Sequence, residues 1–331
     1  MFFKSVIISK KGGPEVLQVI DKVMVNPGPD EVLIKVQACA VGGTDIAMRY
    51  YNYPAAPKKP FVPGYVIVGT VYQKGSNLSV PKVGERVGAL TTFGGYSEYI
   101  TLKPEHLVKV PMSVDSAEAA AVILNYTTAY QMLKRVAKVK AGDKVLITGA
   151  SGGVGSALLD LGKLFNLELL GTASFQKHEI LKQFDATLID YKTQNFVTVI
   201  RNLYPQGLDY VFDGVGGGYI KKCIKTLRRG GLLVEYGYSL KSFSYFIKSL
   251  YDMFSGISKG VKAKSYGISV NYTMNKQPVL EDMAELFNLL KEGKIKPLIY
   301  KRMPLIEATE ANRLLENGGV VGNVVLINHL N

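Results

Sequence analysis

A glycine-rich turn between a short apolar strand and an amphipathic helix is the feature that most constrains this 331-residue chain. Residues 145–147 are apolar and branched, which is typical of a buried strand. Residues 149–155, GASGGVG, follow at once, and apolar side chains then recur at helical spacing. Strand, turn and helix are half of a βαβ unit, whose turn and helix N-terminus accommodate a pyrophosphate. The pattern predicts a dinucleotide site, and a tight turn without a ligand is the alternative.

The position expected to contact the adenosine ribose indicates which dinucleotide is bound. About 20 residues after such a turn, NAD-binding proteins carry an Asp or Glu for the ribose hydroxyls. Ala173 stands there, and Ser174, Lys177 and His178 follow as donors to a 2′-phosphate. We therefore predict NADPH rather than NADH, although Lys177 taken alone fits an ordinary solvated lysine equally well.

Strand-like and helix-like segments alternate after the turn, which predicts a doubly wound parallel sheet. The strands of this region are predicted at residues 167–172, 188–189, 208–213 and 232–236. The helices between them are predicted at residues 178–184, 196–203 and 219–227. Toward the C-terminus, the patterns indicate strands at residues 265–273 and 324–327 and a helix at residues 279–290.

The first 120 or so residues predict an all-β, barrel-like module instead. Its strands are expected at residues 3–8, 17–25, 31–40, 66–72, 86–90 and 96–101. Residues 42–54 are expected to be irregular, a long loop with clustered tyrosines where chemistry would be sited, and a packed tyrosine lid is the alternative. A helix is predicted to begin at Ser116 and another to end at Leu133, before a basic hinge at residues 134–140.

Composition, length and charge argue against several classes of protein function. The chain is 47% hydrophobic and 20% charged, as ordinary globular proteins are, and its length favours two domains. No apolar run approaches the roughly 18 residues of a membrane helix, and the first residues lack a secretory pattern, so we expect a cytoplasmic protein. Two cysteines and three dispersed histidines offer little for a metal site. The net charge of +13 favours anionic partners, but dispersed lysines argue against a nucleic-acid groove.

Residues 240–264 depart from the alternation. Apolar side chains recur there at helical spacing from Phe243 to Ile257, with Lys248 and Lys259 outside the stripe. We expect a lid over a substrate pocket or a helix that faces the core. A helix lying on a membrane surface is the alternative.

Several motifs resemble the medium-chain dehydrogenase/reductase superfamily, over nearly the whole chain and least between about residues 240 and 265. Residues 84–87 (GERV), residues 94–99 (GGYSEY) and Ala150-x-Gly152-x-x-Gly155 are similar to the zinc-independent quinone oxidoreductases of the ζ-crystallin type. Residues 125–130 (NYTTAY) and 171–174 (GTAS), with KHE at 177–179, look closest to the vesicle amine transport protein branch.

This resemblance implies an α/β fold of two domains. Residues 1–123 would form a GroES-like, β-barrel-type catalytic domain that residues 270–331 complete. Residues 124–269 would form a Rossmann domain with a doubly wound parallel sheet that binds NADP. Subunits of the family pair through edge strands, so a homodimer is implied, with residues 232–236 and 265–273 as the pairing strands.

The resemblance also implies a reaction without zinc. A metal-binding Cys of the zinc alcohol dehydrogenases would fall on Gly42, and their Gly-His-Glu motif corresponds to residues 64–66, Gly-Tyr-Val. Zinc alkoxide chemistry is therefore disfavoured, whereas conjugate reduction needs only one or two donors to a developing enolate. Tyr53 matches the active-site tyrosine of quinone oxidoreductases and enoyl thioester reductases, and would donate a hydrogen bond or a proton to the substrate oxygen. Asn125 is expected to replace the amide that the family usually carries at position 42.

Ten residues are implied around the cofactor. Those at the pyrophosphate are Ser151, Gly152, Gly153 and Val154; those at the 2′-phosphate are Ser174, Lys177 and Tyr191; those near the nicotinamide are Thr128, Gly237 and Asn323. The predicted function is an NADPH-dependent, zinc-free reductase that transfers hydride to quinones or α,β-unsaturated carbonyls. The alternatives are an enoyl thioester reductase, and a cofactor-binding protein with little turnover that acts at a membrane or on RNA.

Overall fold

The computed structural model describes residues 1–50, 53, 56–237, 251–252 and 260–328. Its contacts divide the chain into two compact units. Unit 1 comprises Met1–Thr127 and Tyr272–Asn331, and unit 2 comprises Thr128–Asn271.

Unit 1 contains a seven-stranded sheet and a two-stranded hairpin. Its strands are β1 (Phe2–Ile8), β2 (Leu17–Val23), β3 (Val32–Val41), β4 (Val66–Lys74), β5 (Arg86–Leu90), β6 (Tyr99–Leu102), β7 (Val108–Lys109), β14 (Ile299–Pro304) and β15 (Asn323–Ile327). The sheet order is β14-β15-β3-β4-β5-β7, β6 also pairs with β3, and β1 pairs with β2. All of these ladders except β14–β15 are antiparallel. Alternate apolar side chains of β3, β4 and β5 form a buried core: Val32, Ile34, Val36, Ile67, Val71, Val87 and Ala89.

The helices of unit 1 that bear on the site are α1 (Gly43–Tyr50), α2 (Ser116–Ala121), α9 (Gln277–Lys291) and α10 (Ala308–Glu316). Helix α1 lies inside residues 42–54, so the prediction of a long irregular loop there is wrong. The Gly42 N–H donates to the Asp45 carboxylate across 2.8 Å and closes the first turn of this helix. One face of α1 then buries Met48 and Arg49.

Unit 2 is a six-stranded parallel sheet in the order β10-β9-β8-β11-β12-β13. The strands are β8 (Lys144–Thr148), β9 (Glu168–Ala173), β10 (Thr187–Asp190), β11 (Leu208–Asp213), β12 (Leu227–Tyr236) and β13 (Lys262–Tyr266). The helices are α3 (Thr127–Gln131), α4 (Gly153–Leu164), α5 (His178–Leu181), α6 (Phe196–Leu203), α7 (Gly218–Thr226) and α8 (Ile268–Met274), of which α3 and α8 extend across the unit boundaries. The predicted doubly wound sheet is confirmed, and its order reverses between β8 and β11, where such sheets bind ligands.

The predicted strand at residues 265–273 is wrong over most of its length. Strand β13 ends at Tyr266 and helix α8 begins at Ile268. Both the backbone and the side-chain amides of Asn271 donate to the Gly267 carbonyl, at 3.1 and 2.8 Å, and this bonding favours helix over strand. Two β-branched residues here, Ile268 and Val270, favour a strand by local propensity alone.

The sheet order also corrects the predicted pairing strands. Strand β12 has β11 on one side and β13 on the other, so residues 232–236 present no free edge. In the described part of the chain, β13 is the outer strand on that side of the sheet. Most of the apolar stripe of residues 243–257 lies outside the described residues. Among the helices that are described, none combines the length and the apolar character needed to cross a bilayer.

Candidate active site

The turn after β8 can be built only with small residues. Gly149 has φ +66°, a left-handed conformation that favours glycine. A Cβ on Gly155 would stand 2.2 Å from the Gly149 carbonyl oxygen and 2.8 Å from the Ala150 Cα. A Cβ on Gly171, in β9, would lie 2.9 Å from the Ala150 Cβ. The glycines therefore allow α4 to start directly against the turn and the turn to pack against β9.

The first turn of α4 presents backbone donors to a ligand. Gly152 is the N-cap residue, with extended backbone, and among the described residues no side chain caps this end. The first N–H groups of a helix have no partner within the helix, and the N-terminus carries a partial positive charge. The predicted pyrophosphate residues Gly153 and Val154 occupy these positions. The turn that we call the cradle, residues 149–155, thus fits a diphosphate.

A lysine ammonium lies beside the cradle. The Nζ of Lys177 donates to the Ser151 Oγ across 3.2 Å, so two of the predicted cofactor residues are in contact. Burial, and then the charge of Lys192, lowers the pKa of Lys177. Ser174 is buried, and its carbonyl accepts the Lys177 N–H at 2.9 Å. A 2′-phosphate in this place would offset the repulsion between the two lysines.

A carboxylate also ends the strand next to β9. Asp190 is the register partner of Ala173, but its oxygens accept from the Lys192 N–H at 3.1 Å and the Thr193 hydroxyl at 2.9 Å. The Lys192 N–H is the main cause of a lowered Asp190 pKa. This carboxylate is held by its own loop, and it therefore does not take the place of the missing ribose-binding acid on β9.

The remaining predicted cofactor residues of unit 2 differ in burial and in backbone conformation. Thr128 is buried, and its hydroxyl has no hydrogen-bond partner among the described residues. Gly237 follows β12 with φ +71°. Tyr191 is 45% exposed. Their roles toward the cofactor stay predictions.

Asn125 and Asn323, predicted for catalysis and for the nicotinamide, are brought together within unit 1. The Asn125 Nδ2 donates to the Asn323 Oδ1 across 2.5 Å, and the Asn323 Nδ2 donates to the Leu298 carbonyl at 3.0 Å. Both ends of the Asn323 amide are therefore engaged by protein. Asn125 is half-buried, and one of its two amide hydrogens has no described partner.

Tyr53 lies in an aromatic cluster of unit 1. Its hydroxyl is 3.1 Å from the hydroxyl of Tyr65. Its ring packs edge-on against the rings of Tyr65 and Phe93, with centroids 6.3 Å apart in both cases. Among the described residues, Tyr53 makes no hydrogen bond to any other predicted site residue. The cluster provides one partly exposed phenol in apolar surroundings.

A buried polar network around Asp45 holds the backbone that leads into Tyr65. Asp45 accepts the Gly64 N–H at 3.2 Å as well as the Gly42 N–H and the Tyr96 hydroxyl. Burial raises the pKa of Asp45 to about 6, although these hydrogen bonds oppose the shift. Arg49 is fully buried and pairs with Glu316 of α10. The network ties α1, α10 and the segment before β4 into one framework.

Two family descriptions match parts of the chain. Residues 28–112 match the alcohol dehydrogenase GroES-like domain, and residues 184–326 match the zinc-binding dehydrogenase family. The human synaptic vesicle membrane protein VAT-1 homolog-like is 30% identical over 98% of this chain and 80% of its own length. The chain belongs to the medium-chain dehydrogenase/reductase superfamily.

Other members of the superfamily are similar over their whole length. The human quinone oxidoreductase is 28% identical, with 98% of this chain and 97% of the relative covered. The crystal structure of the Escherichia coli quinone oxidoreductase complexed with NADPH superposes with a TM-score of 0.89 at 26% identity, covering 98% of this chain and 99% of the other. The predicted resemblance to quinone oxidoreductases of this superfamily is confirmed, and with it an oxidoreductase fold.

This chain departs from the superfamily's zinc enzymes at both ligand positions named above. Gly42 has no side chain, and the hydroxyl of Tyr65 lies beside that of Tyr53. Within the described residues, no three His, Cys, Asp or Glu side chains are grouped as metal ligands would be. Burial raises the pKa of Cys39 well above its usual value, so this thiol is a buried hydrophobe.

Three features of the units were not predicted from the sequence. In the sequence, Tyr65 stands only at the position of a zinc-binding histidine, and nothing local signals its contact with Tyr53. Asp213 and Glu235 are register partners on β11 and β12, both buried, each with one oxygen that has no partner among the described residues. The Thr148 hydroxyl donates to Asp213 from β8. The sequence signals this carboxyl pair only by an acidic residue at or next to the end of each apolar strand pattern.

Proposed function

We propose that the protein is an NADPH-dependent, zinc-free reductase that transfers hydride to quinones or α,β-unsaturated carbonyls. The observation that carries this proposal is the cradle with Lys177 beside it. Backbone donors at the start of α4 suit a diphosphate, and an ammonium 3.2 Å from Ser151 suits an additional phosphate. The similarity to a quinone oxidoreductase that was crystallised with NADPH supports the same choice.

Each predicted residue has a defined task in this proposal. The cradle residues Ser151, Gly152, Gly153 and Val154 would hold the diphosphate, while Ser174, Lys177 and Tyr191 would surround the 2′-phosphate. Thr128 and Gly237 would bind near the nicotinamide. Asn323 is proposed there as well, where its Oδ1 accepts from the Asn125 Nδ2 and orients that amide.

The bound cofactor supplies a hydride from C4 of its nicotinamide ring. The tasks of the protein are to position the acceptor and to deliver a proton. Tyr53 would donate its hydroxyl proton to the acceptor oxygen as the hydride adds to carbon, and would regain a proton from water. Hydride from the cofactor and the proton from Tyr53 would together reduce the acceptor by two electrons. The available N–H of Asn125 would stabilise the same oxygen.

The proposal is tested with chelator-treated protein, NADPH and a panel of small quinones and enones. Consumption of NADPH with at least one of them is expected, and Tyr53→Phe should reduce kcat by roughly 100-fold, as for a general acid. Tyr72→Phe is the matched control, because Tyr72 is 45% exposed and packs only on Tyr99 among the rings of the described residues. Binding of NADPH without turnover of any acceptor would contradict the reductase and favour the cofactor-binding alternative.

The same assay separates the two substrate classes. A free enone and crotonyl-CoA of similar intrinsic reactivity are compared at equal concentration. Faster turnover of the free enone is expected. A strong preference for the thioester would instead assign the protein to the enoyl thioester reductases, whose phosphorylated carrier would match the basic net charge of +13.

A further inference from the structure

Tyr65 occupies the position at which the zinc enzymes of the superfamily carry a histidine, and here it faces another phenol. Its hydroxyl lies 3.1 Å from that of Tyr53, within hydrogen-bond distance. The two rings are nearly perpendicular, at 85°, so the edge of one ring meets the face of the other. This contact joins residues that are 12 positions apart, on the two sides of a proline- and lysine-rich loop.

Tyr65 is the more firmly held of the two phenols. It is 1% exposed, whereas Tyr53 is partly exposed. Its carbonyl accepts the N–H groups of Thr91 and Thr92, at 2.9 and 3.3 Å. The preceding residue, Gly64, has φ +105° and donates its N–H to the buried Asp45 carboxylate. A Cβ on Gly64 would stand 2.5 Å from the Tyr96 nitrogen, so the backbone here is held between Asp45 and the segment of Tyr96.

Tyr53 depends on its neighbours for its orientation. Its backbone carbonyl accepts the Ala56 N–H at 3.1 Å, and its ring contacts Phe93 edge-on. Phe93 cannot hydrogen-bond, so it fixes the plane of the Tyr53 ring without fixing the direction of the hydroxyl. In the described chain, the hydroxyl of Tyr53 has its only hydrogen-bond partner in Tyr65.

We propose that Tyr65 is a positioning residue that acts through Tyr53. The Tyr65 hydroxyl donates to the Tyr53 oxygen, which turns the Tyr53 proton away from Tyr65 and toward the acceptor. When that proton moves to the acceptor oxygen, the Tyr65 hydrogen bond stabilises the negative charge left on the Tyr53 oxygen. Tyr65 keeps its own proton, and water returns a proton to Tyr53 afterwards. This role rests on the proposed reduction with Tyr53 as the proton donor.

The experiment is a double-variant cycle with Tyr65→Phe, Tyr53→Phe and the pair, measured as kcat and KM with one quinone at saturating NADPH. Loss of one hydrogen bond to a charged oxygen should lower kcat of Tyr65→Phe about tenfold, with KM changed less than about twofold. Because Tyr65 acts through Tyr53, adding Tyr65→Phe to Tyr53→Phe should change kcat by less than a factor of about two. Tyr72→Phe is the control and should match wild type.

Four results would overturn the inference, and they have different meanings. Wild-type kcat in Tyr65→Phe shows that the contact has no role in turnover. A further tenfold loss in the pair shows that Tyr65 acts independently of Tyr53. A lowered Tm with a raised KM in Tyr65→Phe shows a packing role only. A wild-type protein that binds NADPH but reduces nothing removes the proposed function itself, and the inference with it.

Discussion

The cradle of unit 2 and the phenol site of unit 1 are built by different means. The cradle consists of backbone: its donors are main-chain N–H groups, and its shape depends on Gly155, where a Cβ would lie 2.2 Å from the Gly149 carbonyl oxygen. The phenol site consists of side chains, and residues from four separate segments support it. Tyr53 contacts Tyr65, and Gly64, which precedes Tyr65, donates its N–H to Asp45, whose network extends to Tyr96 and to Asn312 of α10.

This difference determines how each region tolerates change. We expect the backbone site to be lost when Gly155 gains a methyl group, and side-chain substitutions around it to change only its affinity. A side-chain site retains its fold when one hydroxyl is removed and loses function in steps.

The largest effect is expected from Gly155→Ala. The new Cβ cannot be accommodated without moving the Gly149 carbonyl or α4, at a cost of about 3 kcal/mol or more. We expect NADPH affinity, measured by titration calorimetry, to fall by about 100-fold or more on the basis of that cost. Gly218→Ala is the matched control in the same unit, since a Cβ on Gly218 would meet no atom of the described residues within 4 Å. Equal NADPH affinity of Gly155→Ala and wild type would show that the cradle does not depend on the absence of a side chain at position 155.

The next effect concerns the stability of unit 2 and depends on pH. Burial, and then Asp213, raises the pKa of Glu235 from 4.5 to about 7. The folded protein therefore holds this proton to higher pH than the unfolded chain does. The free energy of unfolding therefore falls, through Glu235, as the pH rises from about 4.5 to about 7, and this contribution does not return at higher pH.

Glu235→Gln removes this ionisation and should raise the free energy of unfolding at about pH 8 by up to about 3 kcal/mol. Near pH 4 the two proteins should differ little. Denaturant unfolding at both pH values measures the change. Glu307→Gln, at an exposed position, is the control and should show the same small difference at both pH values. A stabilisation by Glu235→Gln that does not depend on pH would contradict the buried-carboxyl explanation.

In unit 1, Asp45→Asn should destabilise the framework of the phenol site. The two carboxylate oxygens accept separate backbone N–H groups, and an amide can replace only one of them. The unpaired N–H should cost about 2 kcal/mol in denaturant unfolding. Asp21→Asn, which breaks only an exposed ion pair with Lys4, should cost less than about 1 kcal/mol. Similar losses for both variants would mean that Asp45 is not a structural acceptor.

The smallest effect is expected from Lys177→Met. Loss of one charge-assisted contact to a 2′-phosphate should weaken NADPH binding about tenfold, and NADH binding should be unaffected. Lys182→Met is a control of the same type, because Lys182 is exposed and pairs with Glu179. Parallel losses for both nucleotides would show that Lys177 supports the cradle in general and does not select the phosphate.

The sequence predicted the elements of unit 2 well because local patterns determine them. Residues 208–213 and 196–203 coincide with β11 and α6, and the glycine turn marks the start of α4. These signals require only neighbours along the chain: apolar runs for buried parallel strands, and glycines where the backbone must turn. The same reasoning failed at residues 268–273, where β-branched side chains lie in a helix.

Contacts between distant segments explain what could not be predicted in unit 1. The strand β14 and the helix α10 were not predicted, and α1 was taken for a loop. Arg49 of α1 is buried because Asn312 and Glu316, 263 and 267 positions away, bind its guanidinium. Tyr65 is likewise defined by a partner across a loop. No local pattern contains such information, since each segment alone is compatible with an exposed loop.

We expect the cradle to bind NADPH when no metal ion is present. Titration calorimetry of NADPH and NADH into chelator-treated wild-type protein tests it most directly. One NADPH per chain is expected, bound about tenfold more tightly than NADH, as one additional phosphate contact implies. No binding of either nucleotide, or tighter binding of NADH, would contradict the account.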